Sequence, residues 1–109
     1  MGGNGCPVER ALKIIGGKWT ILILRDLLQG PRRFGELRRS LGEVSPKTLA
    51  LRLRELEEEG ILSRTVYAEV PVRVVYRLTR KGETLGEVID AIRHWGERWP
   101  REEAVGASD

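Results

Sequence analysis

Between Phe34 and Gly60 the chain reads FGELRRSLGEVSPKTLALRLRELEEEG, and this stretch limits the fold more than any other. Phe34, Leu37 and Leu41 recur at helical spacing, which predicts a short helix with Arg38 and Arg39 on its outer side. Gly42 breaks that helix. Ser45 and Pro46 then supply a capping hydroxyl and a first-turn proline. Leu49, Leu53 and Leu56 resume helical spacing up to Gly60, a residue suited to a left-handed helix end. Two helices joined by a tight glycine-containing turn describe a helix-turn-helix.

The segments on either side agree with this. ILSRTVYAEV and VRVVYRLT alternate in polarity and are rich in β-branched residues, which predicts two strands joined across Pro71. A hairpin directly after the second helix occupies the place of a wing. Upstream, Pro7 opens a helix with Cys6 as its cap residue; Val8, Leu12 and Ile15 form its stripe, and Gly16-Gly17 ends it. KWTILILRDLLQG follows as a central helix covered on most sides, ended by Gly30-Pro31. Downstream, Thr79 is expected to start one long helix striped by Leu85, Val88, Ile89, Ile92, Trp95 and Trp99, with Pro100 ending it. The expected fold is mainly α with a small β-hairpin wing: a winged helix-turn-helix over residues 6–99, with a flexible N-terminus (1–5) and a flexible tail (100–109).

Charge separates the functional classes. The net charge is only +3, but between Pro31 and Arg54 seven basic residues face two acids, Glu36 and Glu43. Between Arg64 and Gly82 five basic residues face Glu69 alone. Two basic blocks in one small domain suit a polyanionic partner, although a solvated charged surface has the same composition. On the 45–60 helix, Leu49, Leu53 and Leu56 mark the core side, so Lys47, Leu51 and Arg54 point away from it with Thr48 on the flank. The second helix of a helix-turn-helix enters the DNA major groove with its N-terminal part nearest the bases. Ser45, Lys47, Thr48, Leu51 and Arg54 are therefore the candidate DNA contacts. Glu55, Glu57, Glu58 and Glu59 occupy the far end of the helix, away from the groove. Arg32, Arg33, Arg38, Arg39 and Arg52 are candidates for the phosphate backbone. Arg73, near the hairpin tip, suits either an adjacent minor groove or plain solvent.

Other classes fare worse. One cysteine precludes an internal disulfide, and one histidine, His94, precludes a Cys/His metal cluster. No phosphate-cradling glycine loop or nucleophile–base pattern suggests an enzyme, and no metal or cofactor is expected. The longest purely aliphatic run, Ile21 to Leu24, is too short to cross a membrane, and MGGNGCPVER has no secretory pattern. A cytoplasmic protein is expected. A winged helix used only for protein interaction is the competing reading; weak DNA affinity with little salt dependence would mark it.

Cys6-Pro7, Gly17-Lys18-Trp19, Arg33-Phe34-Gly35-Glu36-Leu37, Ser45-Pro46-Lys47, Arg52-Leu53 through Gly60, and Tyr76 to Gly82 together resemble the HxlR-type winged helix-turn-helix transcriptional regulators of bacteria and archaea. The resemblance covers about residues 6 to 99. It implies a homodimeric regulator of nearby or divergent genes that binds double-stranded DNA; a repressor is the expected reading. It also implies dimer contacts from the N-terminal and C-terminal helices, which places Val8, Leu12, Ile89, Ile92, Trp95 and Trp99 at the interface. Two departures stand out: Ala50 and Leu51 replace residues that are commonly polar in the family, and Val75 stands where an acid is frequent. Leu51 suits a thymine methyl group rather than a hydrogen bond.

The resemblance also bears on Cys6. A thiol at a helix start faces the positive end of the helix dipole, which favours the thiolate. In several similar regulators a cysteine at this position senses electrophiles or oxidants, and an incidental structural cysteine is the alternative.

Overall fold

The structure, a computed structural model, describes residues 5–99. The expectations made for residues 1–4 and 100–109 lie outside the described residues. Pro7–Ile15 forms α1, opened by Pro7 and closed by Gly16, whose N–H donates to the Leu12 carbonyl at 2.8 Å. Lys18–Leu28 forms α2. It runs through the middle of the domain, and Ile23, Leu24 and Leu27 are buried along it. Phe34–Leu41 forms α3 and Pro46–Glu58 forms α4, the two helices of the expected helix-turn-helix.

The turn between them is fixed at three points. Gly42 adopts φ 78°, a left-handed conformation that side chains rarely take. Val44 is buried and anchors the turn to the core. Ser45 then caps α4, its hydroxyl accepting the Thr48 N–H at 3.0 Å. Leu49, Leu53 and Leu56 are fully buried, each contributing about 1.5–3 kcal/mol relative to exposure. At the other end Gly60, at φ 76°, reverses the chain into the sheet.

The sheet has one strand more than the sequence indicates. Leu62–Tyr67 (β2) and Arg73–Leu78 (β3) form the antiparallel wing, with Leu62 opposite Leu78 and Tyr67 opposite Arg73. Arg32–Arg33 (β1) pairs with the other edge of β3, giving the order β1-β3-β2. Arg32 lies opposite Tyr76 and Arg33 opposite Val75. The two arginines thus serve as strand residues as well as charges, and this short strand carries no hydrophobic alternation by which to recognise it. Val75 is buried.

The expected single helix from Thr79 to Trp99 is broken. Thr79 caps only a four-residue helix, Arg80–Glu83 (α5), and the chain bends at Thr84-Leu85 before Gly86–Arg98 forms α6. Local chemistry explains the break. The Thr84 hydroxyl turns back to the Lys81 carbonyl at 2.6 Å, while the Thr79 hydroxyl and the Lys81 ammonium donate to carbonyls of the Glu59–Ile61 turn. These bonds bind α5 to the end of α4 and leave α6 to take its own direction. Its stripe then divides. Ile89 joins the core at 8% exposure, whereas Ile92, Trp95 and Trp99 lie beyond it and are exposed.

Candidate nucleic-acid interface

The outward side of α4 is uncovered. Lys47 and Arg54 are exposed, Leu51 is 43% exposed, and Thr48 lies half-buried on the flank. Ser45 is exposed, but its hydroxyl is engaged by the helix cap. Among the described residues, Lys47, Arg54, Arg33, Arg38 and Arg39 are held by no ion pair. The N-terminal turn of α4 carries no acid, whereas Glu55, Glu57 and Glu58 lie in its second half. The helix therefore offers positive charge and helix-dipole potential at the same end.

The other sequence candidates fall into separate groups. Arg38 and Arg39 line a shallow hollow with Gly35 and Gly42, at the end of α3 next to the turn. Arg33 opens α3, its N–H bonded to the Glu36 carboxylate at 2.9 Å. Arg32 folds back on its own loop, donating to the carbonyls of Gly30 and Pro31 at 3.2 and 3.0 Å. Arg52 pairs with Glu55 at 3.1 Å on the flank of α4. Arg73 is tied into the wing by Glu69 and by the Tyr67 ring. Three of the five expected backbone cations thus have charges free of hydrogen bonds and ion pairs, and two are engaged within the protein.

Sequence reasoning missed Arg64 and Tyr76. Both line a cleft of about 290 Å³ with Ala50, Arg54 and Glu57, between α4 and the wing. The signal was available: alternation from buried Leu62 puts Arg64 on the side of β2 that faces α4. Burial raises the Tyr76 phenol above its ordinary pKa, so its proton is held firmly.

The residues expected at a dimer interface also separate. Val8 and Leu12 on α1 and Ile92, Trp95 and Trp99 on α6 are exposed apolar side chains. Ile89, by contrast, packs in the core of its own domain. Cys6, at the start of α1, is half-buried; its carbonyl accepts the Arg10 N–H at 3.0 Å, and its side chain makes no capping bond. Among the described residues no helix is long and apolar enough to cross a membrane, and no group of acids, His or Cys is arranged to hold a metal.

Comparison with known proteins agrees with this geometry. The chain is 46% identical over 96 residues to the uncharacterized HTH-type transcriptional regulator YdeP of Bacillus subtilis strain 168, covering 88% of this chain and 75% of YdeP. Its fold superposes on the redox regulator HypR in its oxidized form with a TM-score of 0.82 at 43% identity, covering 85% of this chain and 96% of HypR. Diamide-treated YodB from B. subtilis matches with a TM-score of 0.72 at 40% identity, covering 86% and 94% of the two chains. Residues 14–104 match the HxlR-like helix-turn-helix description. With a winged helix-turn-helix, an open basic face and relatives that are regulators rather than enzymes, the chain belongs to the HxlR-like helix-turn-helix family of transcriptional regulators.

Proposed function

We propose that this protein is a cytoplasmic homodimer that binds duplex DNA sequence-specifically and represses transcription. The observation that carries this reading is the bare outward stripe of α4, where Lys47 and Arg54 stand without ion-pair partners around exposed Leu51. Lys47 and Arg54 reach base edges or nearby phosphates, and Leu51 meets a thymine methyl. Arg33, Arg38 and Arg39 fix the register through phosphates. Val8, Leu12, Ile92, Trp95 and Trp99 support a second copy as the cover for α1 and α6, since an exposed apolar surface of this kind marks an interaction site. A twofold dimer presents its two α4 helices to half-sites about one helical turn, ~34 Å, apart or a multiple of it.

Cys6 is assigned a sensing role. It sits at the start of α1, one of the two helices assigned to the dimer, and the similar proteins include the redox regulator HypR in its oxidized form and diamide-treated YodB. With one cysteine per chain, oxidation to a disulfide joins two copies: each thiol gives up a proton and an electron to the oxidant. Alkylation by an electrophile is the other route.

Selection of bound fragments from the host genome tests the whole reading. It should return a shared inverted-repeat motif upstream of genes, bound less tightly after diamide in wild type but not in Cys6→Ser. Fragments without a common motif would refute sequence-specific binding. An equal response of both proteins to diamide would refute the role of Cys6.

A further inference from the structure

The cleft between α4 and the wing joins two guanidinium groups from different elements, Arg54 on α4 and Arg64 on β2. Ala50 also lines it and has no side chain beyond its Cβ, so space is left between them. The Arg64 partner is Glu57, at 3.5 Å, with the two side chains 45% and 38% exposed. An ion pair so long and so wet contributes little to stability, and Arg64 surrenders it at small cost. A phosphodiester is the better partner, because its two non-bridging oxygens share one negative charge and match the guanidinium fork. Two guanidiniums and one carboxylate leave one net positive charge in the cleft, which is the charge that a single phosphodiester neutralises. Tyr76 adds a phenol that keeps its proton and so donates to an anion.

We propose that this cleft seats one backbone phosphate of the bound duplex, gripped by Arg54 and Arg64 from opposite walls with the Tyr76 hydroxyl as a third donor. Glu57 holds Arg64 against α4 in the free protein and is displaced when DNA arrives. The inference rests on the reading of α4 as the DNA-facing helix. It adds Arg64, Tyr76 and Glu57 to the contacts and explains how one strand is pinned between helix and wing.

The test measures affinity for the selected operator and for a random duplex of equal length over a range of salt concentrations. The proteins are wild type, Arg64→Gln, Glu57→Gln and, as a control, Arg93→Gln, which breaks the Arg93–Asp90 pair on α6. Arg64→Gln should weaken binding to both duplexes alike and flatten the slope of log K against log salt by about 0.9 per protomer. Glu57→Gln should tighten both, and Arg93→Gln should change neither. Arg64→Lys keeps the charge without the fork; it should keep the wild-type slope at reduced affinity, and it serves if the glutamine variant does not melt cooperatively.

Wild-type affinity and slope in both Arg64 variants, together with lost operator binding in Lys47→Ala, would overturn the cleft and leave the α4 reading intact. Salt-insensitive binding by wild type would overturn both. Inorganic phosphate at matched ionic strength should compete with DNA for the cleft of wild type and leave Arg64→Gln unaffected. If phosphate binds through Arg64 without lowering DNA affinity, the cleft belongs to a free anion and the proposal fails.

Discussion

Arg73 donates from Nε and Nη2 to the two carboxylate oxygens of Glu69, at 3.3 and 3.0 Å, while its guanidinium lies 4.0 Å from the centre of the Tyr67 ring. The wing arginine that the sequence offers to DNA is thus engaged on its edge and on its face. The hydrogen bond from Arg73 holds the Glu69 carboxyl below its ordinary pKa, and Arg33 adds to this. A carboxylate with a lowered folded-state pKa stabilises the fold above its unfolded pKa and loses that contribution as pH falls through the lowered value. Side-chain NMR should show Glu69 titrating below the usual carboxylate range, and returning to it in Arg73→Ala. Glu69→Gln should strengthen binding to random DNA by freeing Arg73. A Glu69 titration indifferent to Arg73→Ala would contradict the pairing.

Gly82 is pressed against the Ile61 carbonyl so closely that an added Cβ would collide with that oxygen. Gly82→Ala should therefore cost about 1–3 kcal/mol, the usual penalty of overpacking. Gly96 on α6 has nothing near its missing Cβ, so Gly96→Ala should stabilise by roughly 0.5–1 kcal/mol. Thermal melts of the two variants decide the matter. Equal shifts in the same direction would mean that the turn holding α5 is looser than described.

Ser45 caps α4 and is proposed to lie beside DNA, and the two roles can be separated. Removing its cap in Ser45→Ala should cost about 1 kcal/mol of stability. Ser45→Asp keeps a capping oxygen and should melt near wild type, yet the new negative charge beside the groove should weaken DNA binding. Undiminished DNA affinity in Ser45→Asp would place the start of α4 away from the duplex.

Ile89 and Trp95 share the expected stripe but belong to different surfaces, at 8% and 61% exposure. Ile89→Ala should destabilise each protomer by about 2–5 kcal/mol, as for other core truncations. Trp95→Glu should leave folding intact, shift sedimentation from dimer to monomer, and abolish tight operator binding. A dimeric Trp95→Glu would move the interface elsewhere.

The helix-turn-helix was legible because Leu49, Leu53 and Leu56 repeat at helical period and Ser45 and Gly60 mark the ends. The wing was legible from the alternation in β2 and β3. The strand at Arg32–Arg33 was not, since a two-residue edge strand has no period and its partner, Tyr76, is 44 positions away in the chain. Nor was the break before Gly86, because it depends on the Thr79 and Lys81 side chains meeting the Glu59–Ile61 turn, a tertiary contact. In the candidate site, the uncovered stripe of α4 followed from angular position alone. The pairing state of each arginine did not: it depends on which acid the fold brings near, as Glu69 to Arg73 and Glu57 to Arg64.

The Lys47–Leu51–Arg54 side of α4 is proposed to enter the major groove. Amide NMR spectra recorded as the selected duplex is added report this most directly. The largest shifts should fall on residues 45–54, with smaller ones at Arg33, Arg38, Arg39 and Arg64, and little change along α6. Shifts concentrated on α1 and α6 with α4 unmoved would contradict it.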